Sequence, residues 1–201
     1  QELALLSPVS YRPQIGIVPQ EVQLFSGTVA QNIGLGAPDP TLARIIAAAR
    51  FCGADEFIRR LPDGYETRLG ERGSGLSLGQ RQLIAVARAV VRNPRMLVLD
   101  EATSALDAAA EAHLLRNIKR AGSGRTVILV THRAAVLEAC DRVVLLDQGR
   151  VDEALVAYRH GLEIRARVYG TSHPRYAFSL AQIGEFSFII AGVGVAAGAD
   201  R

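Results

Sequence analysis

Two carboxylates stand side by side at Asp100 and Glu101, directly after the apolar run MLVL (96–99). Such a run reads as a buried strand, and the carboxyl edge of a parallel sheet is where α/β proteins bind ligands. Adjacent carboxylates there can divide the work. Asp100 can hold a hydrated Mg²⁺, while Glu101 orients and deprotonates a water. The same pair also makes sense as a solvated acidic patch ahead of a helix, whose N-terminal dipole favours acids.

Other residues offer chemistry of the same kind. His132 ends the apolar run VILV and Thr131, in VTHR. If that strand neighbours the first, its imidazole can donate to a phosphate oxygen; otherwise it is a surface histidine. Ser77, Gly79 and Gln80 open a helix. Their backbone N–H groups and the Ser77 hydroxyl can receive an anion, or Ser77 can simply cap that helix. Gln20 follows IGIVP and can reach a metal or a water. Asp107, after SAL, can cap the next helix or reach across an interface.

The elements that must position these residues are legible from apolar runs and punctuation. MLVL (96–99), VILV (127–130) and VVLL (143–146) are continuous, as expected of strands covered on both faces. IGIV (15–18) is a fourth strand, stopped by Pro19. Helices are expected over 28–33, 40–52, 54–61, 78–92, 107–121 and 133–139, with Asn93-Pro94 ending the long one. Strands alternating with helices predict an α/β fold with a parallel sheet, and the stretch 26–93 reads as a helical lobe inserted into it.

Composition narrows the function classes. The chain has 201 residues and a formal net charge of +3, and its basic residues alternate with acids instead of forming a stripe. That excludes a nucleic-acid footprint and leaves no nucleic acid among the expected partners. Cys52 and Cys140 have no CxxC neighbour, as expected of two reduced thiols in an intracellular protein. The first residues lack a basic start followed by an apolar run, so no signal peptide is expected, and the missing initial methionine suggests a piece of something longer.

Taken in order, these segments resemble the C-terminal two-thirds of the nucleotide-binding domain of ATP-binding cassette transporters, over residues 14–150. The likeness is to exporters of the type I secretion kind. QIGIVPQEVQLFSGTVAQNI looks like the Q-loop region, LSLGQ (76–80) the signature motif, and MLVLDE (96–101) Walker B. SALD (104–107) looks like the D-loop and VTH (130–132) the switch-histidine loop. The resemblance implies a P-loop NTPase-like parallel sheet and an ATPase that uses ATP and Mg²⁺ to drive export. It also implies a head-to-tail dimer with a second nucleotide-binding domain, a transmembrane permease partner, and a place on the cytoplasmic face of the membrane, soluble if isolated.

Roles follow by resemblance. Asp100 would hold Mg²⁺ through water, Glu101 would polarise the attacking water, and His132 would contact the γ-phosphate. Gln20 would sense the metal and couple to the membrane domain. Ser77, Gly79 and Gln80 would serve ATP bound to the opposing subunit, and Asp107 would cross the interface. Two departures stand out. Leu78 replaces the first glycine of LSGGQ, and no G-x-x-x-x-G-K-[ST] loop is present; the chain's one lysine is Lys119. Losing three hydrogen bonds to charged oxygens costs roughly 5 kcal/mol, about 10³ or more in affinity, so the chain is expected to bind ATP weakly alone. The alternative is a non-catalytic fragment that lends its signature helix or another surface to a partner.

Residues 151–185 resemble one tetratricopeptide repeat of the kinesin light chain type, through Tyr158, Leu162, EIR and GTSHP. A single repeat cannot bury its own apolar face. LAQIGEFSFIIAGVGVAAGA then resembles a membrane segment of cation:proton antiporters, but the apolar stretch 186–199 is too short for a span, and an apolar helical tail is expected over 186–201. Joins at QGR (148–150) and LAQIG (180–184) imply a truncated, recombined or artificial sequence.

Overall fold

A computed structural model describes residues 7–121, 124–131, 133, 136, 140, 142–147, 150–151 and 187–193. The chain folds as two compact units, residues 1–117 and 118–201.

In the first unit a short helix α1 (Pro8–Tyr11) and a 3-10 turn lead into β1 (Ile15–Val18). After a loop come β2 (Gly27–Thr28), α2 (Val29–Gly34), α3 (Leu42–Cys52) and α4 (Asp55–Ile58). The short β3 (Arg68–Leu69) pairs antiparallel with β2. Then follow α5 (Leu78–Val90), β4 (Met96–Asp100) and α6 (Ala108–Arg120), whose last residues open the second unit.

Helices α2, α3, α5 and α6 begin where the sequence provides a side-chain cap, whereas the short α1 and α4 begin without one. Thr28 and Ser77 form capping boxes with Gln31 and Gln80, satisfying two orphan N–H groups at the starts of α2 and α5. Thr41 accepts from Arg44 N at the start of α3, and Gly53 ends that helix in the left-handed region at φ 83°. Asn93 takes φ 58° just beyond α5, and Pro94 follows it.

β1 and β4 run parallel, in the register Ile15↔Met96 through Val18↔Leu99. One face of the pair is sealed: Gly16, Val18, Leu97 and Leu99 are buried. Helix α5 covers β1 closely enough that a Cβ on Gly16 would lie 2.6 Å from the Ala89 carbonyl oxygen. The buried stripe of α5, Leu83, Ile84, Val86, Ala87 and Val90, supplies the core; each fully buried aliphatic contributes about 1.5–3 kcal/mol. The expectation of strands covered on both faces holds only in part over 96–99 and 127–130, and β1 is open on one face. Val98 is half-buried, Ile17 is 61% exposed, and in β5 Ile128 and Val130 are half-buried. Continuous apolar runs reflect β-propensity here as much as two-sided burial.

The second unit contains β5 (Thr126–Thr131), β6 (Arg142–Asp147), β7 (Arg150–Val151) and β8 (Ser187–Val193). β8 pairs antiparallel with both β5 and β6, and β7 pairs antiparallel with β6. Residues 187–193 therefore form a strand, not part of an apolar helix: Phe188, Ile189, Ile190 and Val193 are strand formers, and Gly192 weakens a helix. The expected repeat-like hairpin lies outside the described residues apart from Val151, as do most of 133–139 and the join LAQIG. Among the described residues no helix is long and apolar enough to cross a membrane.

Candidate functional site

The parallel register decides where the chemistry collects. Val18 is level with Leu99, so Gln20 and Glu101, each two residues further on, emerge at one carboxyl edge. There Gln20 Nε2 donates to Glu101 Oε2 at 3.0 Å. These residues are 81 positions apart in the chain. Asp100, the last residue of β4, is half-buried beside them.

Glu101 has φ +47°, in the left-handed region that a side chain enters at a cost of about 1–2 kcal/mol. The turn after it closes with Ser104 N donating to Glu101 O at 3.1 Å and Leu106 N donating to Thr103 O at 3.1 Å. Strain held by a closed turn at a polar edge is the pattern of a functional position.

Gln82, 1% exposed, braces this turn from α5. Its Nε2 donates to Ser104 Oγ at 3.0 Å and, at a longer 3.4 Å, to Glu101 O, while its Oε1 accepts from Ala105 N at 3.1 Å. Gly79, one helical turn earlier, lets the Ala105 carbonyl approach; a Cβ there would lie 2.7 Å from that oxygen.

At the opening of α5, Ser77 Oγ accepts from Gln80 N at 3.2 Å and Gln80 Oε1 accepts from Ser77 N at 3.0 Å. Both side chains are thus engaged in the cap. Ser77 is exposed and Leu78 is 52% exposed, so this end of the helix faces outward. Asp107 caps α6, its Oδ1 accepting from Ala110 N at 2.8 Å. His132 lies outside the described residues.

The donor set at the edge is oxygen-rich: the Asp100 and Glu101 carboxylates and the Gln20 amide. Among the described residues no three His, Cys, Asp or Glu side chains converge into a protein-only metal cage. One or two carboxylates and an amide fit Mg²⁺, which keeps several waters and takes other ligands from phosphate.

A second network, which sequence reasoning missed, holds the loop behind Gln20. Arg88 of α5 donates from Nε to Asn32 O, from Nη1 to Gln23 O and from Nη2 to Asn32 Oδ1, each at 2.8 Å. Its guanidinium carbon lies 5.2 Å from the Phe25 ring centre. Buried Asn32 closes the loop by accepting from Phe25 N at 2.9 Å and donating to Phe25 O at 2.8 Å. The signal available in sequence was small: polar Gln82 and Arg88 adjoin the apolar stripe of α5, and Asn32 interrupts an apolar stretch.

The sequence pattern described as ABC transporter matches residues 3–104, half of the chain. The chain belongs to the ABC transporter family. It is 47% identical over 152 residues to the cyclolysin secretion/processing ATP-binding protein CyaB of Bordetella pertussis, covering 76% of this chain and 21% of that protein. Against the leukotoxin translocation ATP-binding protein LktB of Mannheimia glucosida it is 45% identical, covering 76% of this chain and 22% of the relative. The chain thus spans about a fifth of the length of these relatives. The structure of a bacterial Atm1-family ABC exporter with ATP bound superposes with a TM-score of 0.79 at 38% identity, over 92% of this chain and 31% of that one. This ABC chain therefore has the exporter-type nucleotide-binding fold that its motif order implies.

Proposed function

We propose that residues 14–150 form the catalytic-carboxylate and signature part of an ABC exporter's ATPase, with Glu101 orienting and deprotonating the attacking water. One observation carries this reading: the 3.0 Å hydrogen bond from Gln20 to Glu101 at the carboxyl edge of β1 and β4. That bond fixes the direction of the carboxylate and ties it to a loop able to report on the site's state. Asp100 and Gln20 would hold hydrated Mg²⁺. Bound ATP with Mg²⁺ supplies the phosphoryl bond to be broken and the charge that neutralises its oxygens. His132 would donate to a phosphate oxygen.

In the same reading Ser77, Gly79 and Gln80 serve nucleotide on an opposing nucleotide-binding domain, with Asp107 at that head-to-tail interface. A transmembrane permease completes the exporter, at the cytoplasmic face of the membrane. The test supplies a G-x-x-x-x-G-K-[ST] loop and its strand in frame before Gln1 and measures ATP turnover. Turnover should appear, and Glu101→Gln should lower it by about 10²–10⁴, the usual contribution of a general base. Turnover that survives Glu101→Gln within a few fold defeats the assignment.

The outward-facing Ser77 and the 52% exposed Leu78 favour a second reading, in which the chain lends its signature helix to a complete partner. Mixing the chain with a nucleotide-binding domain whose own signature serine is replaced by arginine tests it. Turnover should require mixing and should vanish with Ser77→Arg.

A further inference from the structure

One buried polar side chain of α5 reaches the turn at the acidic edge. Gln82 is 1% exposed, and each end of its amide is engaged by the turn that follows Glu101. Residues three apart on a helix share a face, so Gly79 and Gln82 both meet that turn, one helical turn apart. At Gly79 the contact is steric: the Ala105 carbonyl fills the space a Cβ would need. At Gln82 the contact is polar and threefold, to Ser104, Ala105 and, more weakly, the Glu101 carbonyl. Glu101 itself sits at φ +47°, a conformation that persists only where its surroundings enforce it.

We propose that Gln82 is a positioning residue that locks the turn 101–106 to the first turns of α5, so that Glu101 and the Ser77–Gly79 segment move as one rigid block. This rests on the reading that Glu101 acts on nucleotide held by its own domain while Ser77 and Gly79 act on nucleotide held by an opposing one. Under that reading Gln82 joins the two half-sites of one chain. A shift at one must displace the other, because the polar clamp and the Gly79 contact leave no slack between them. An aliphatic residue of the same length would fill the space and release the clamp.

The experiment uses the full chain, with hydrogen exchange followed in segments 76–80 and 100–107 for Gln82→Met, Ser104→Ala and Val86→Ala. Losing a buried hydrogen-bond partner is worth about a tenfold rise in local opening. Gln82→Met should therefore raise exchange about tenfold in 100–107 and measurably in 76–80. Ser104→Ala removes one bond of the three and should raise both by about threefold; it carries the test if Gln82→Met does not fold. Val86→Ala, on the same helix, should lower the melting temperature and leave both segments at their relative protection. In the mixed ATP-turnover assay, Gln82→Met should lower kcat several-fold with little change in KM for ATP. Faster exchange in 100–107 with 76–80 unmoved would overturn the proposal, as would Val86→Ala reproducing the pattern. Should wild-type chain give no turnover on mixing, the half-site reading fails by itself, and the exchange data still decide whether Gln82 couples the two segments.

Discussion

Replacing Gly79 by alanine sets two opposed effects against each other at one atom. In a helix, Gly→Ala gains up to about 1 kcal/mol from reduced backbone entropy, and less near the N-terminus, where Gly79 is the second residue. Against this, the new Cβ would lie 2.7 Å from the Ala105 carbonyl oxygen, well inside the 3.4 Å at which ordinary contact begins, with Leu106 Cδ2 at 3.6 Å behind it. Backbone cannot swing aside as a side chain can, and Gln82 Oε1 also holds Ala105 N in place. Forced packing of this kind costs about 1–3 kcal/mol. The expected balance is a net loss of about 1 kcal/mol, read as a lower urea midpoint with an unchanged slope. Gly36→Ala provides the ordering: its Cβ would fall 1.8 Å from the Arg88 carbonyl oxygen, so its loss should be larger. A Gly79→Ala chain as stable as the parent, or more so, would show that the turn yields, and the rigid connection between α5 and residues 101–106 would fall with it.

The strain at Glu101 predicts an inversion of the usual order: Glu101→Gly should be more stable than Glu101→Ala by about 1 kcal/mol in urea unfolding, because glycine takes φ +47° without a Cβ penalty. Burial pushes the Cys52 thiol up to about 12, against lowering hydrogen bonds from neighbouring backbone. Its stabilising contribution is thus complete below the ordinary thiol range near 8.5 and is lost as pH rises towards 12. Cys52→Ala should flatten the decline of the urea midpoint over that window. Burial alone would raise the Asp55 carboxyl, but hydrogen bonds from Tyr65 and Arg50 and the Arg59 and Arg50 charges outweigh it and hold it below the usual range. That contribution is present above the ordinary value of about 3.9 and disappears as pH falls through the lowered one, so Asp55→Asn should remove part of the acid-side slope.

Much of this architecture could be read from the chain because local signals agreed with one another. IGIV became β1 with the expected bounds, and the expected long helix over 78–92 is α5, Leu78–Val90. Capping chemistry was legible too: Ser77 and Asp107 each cap a helix, the plainer of the two uses each residue offered. Local signals do not set long-range register, and it was the order of the family-like motifs that implied a shared rim for Gln20 and Glu101. That Gln20 meets Glu101 depends on Val18 lying level with Leu99, and no local preference encodes a partner 81 positions away. Nor does composition mark a glutamate for the left-handed region. The tail misled for a related reason: its nearly unbroken apolar run 186–199 suggested a helix, yet pairing with β5 and β6 makes 187–193 a strand.

The two polar networks on α5 explain why one helix matters to both halves of the acidic edge. Gln82, near its start, holds the turn that carries Glu101; Arg88, near its end, holds the loop that follows Gln20. The Arg88 charge is partly desolvated and, among the described residues, meets carbonyl oxygens, an amide oxygen and the Phe25 ring. Such a guanidinium is costly to bury, and burial pulls its pKa down. It is held there by a three-point fork that a lysine ammonium cannot reproduce. A core residue would have stabilised α5 at less expense, so this arrangement is better understood as fixing geometry than as adding stability. The 3.0 Å contact between Gln20 and Glu101 is then the product of two separate anchors on one rigid element. Loosening either anchor displaces one partner of the pair while the other stays, which is the property a site needs if nucleotide chemistry at the edge is to be felt along the helix.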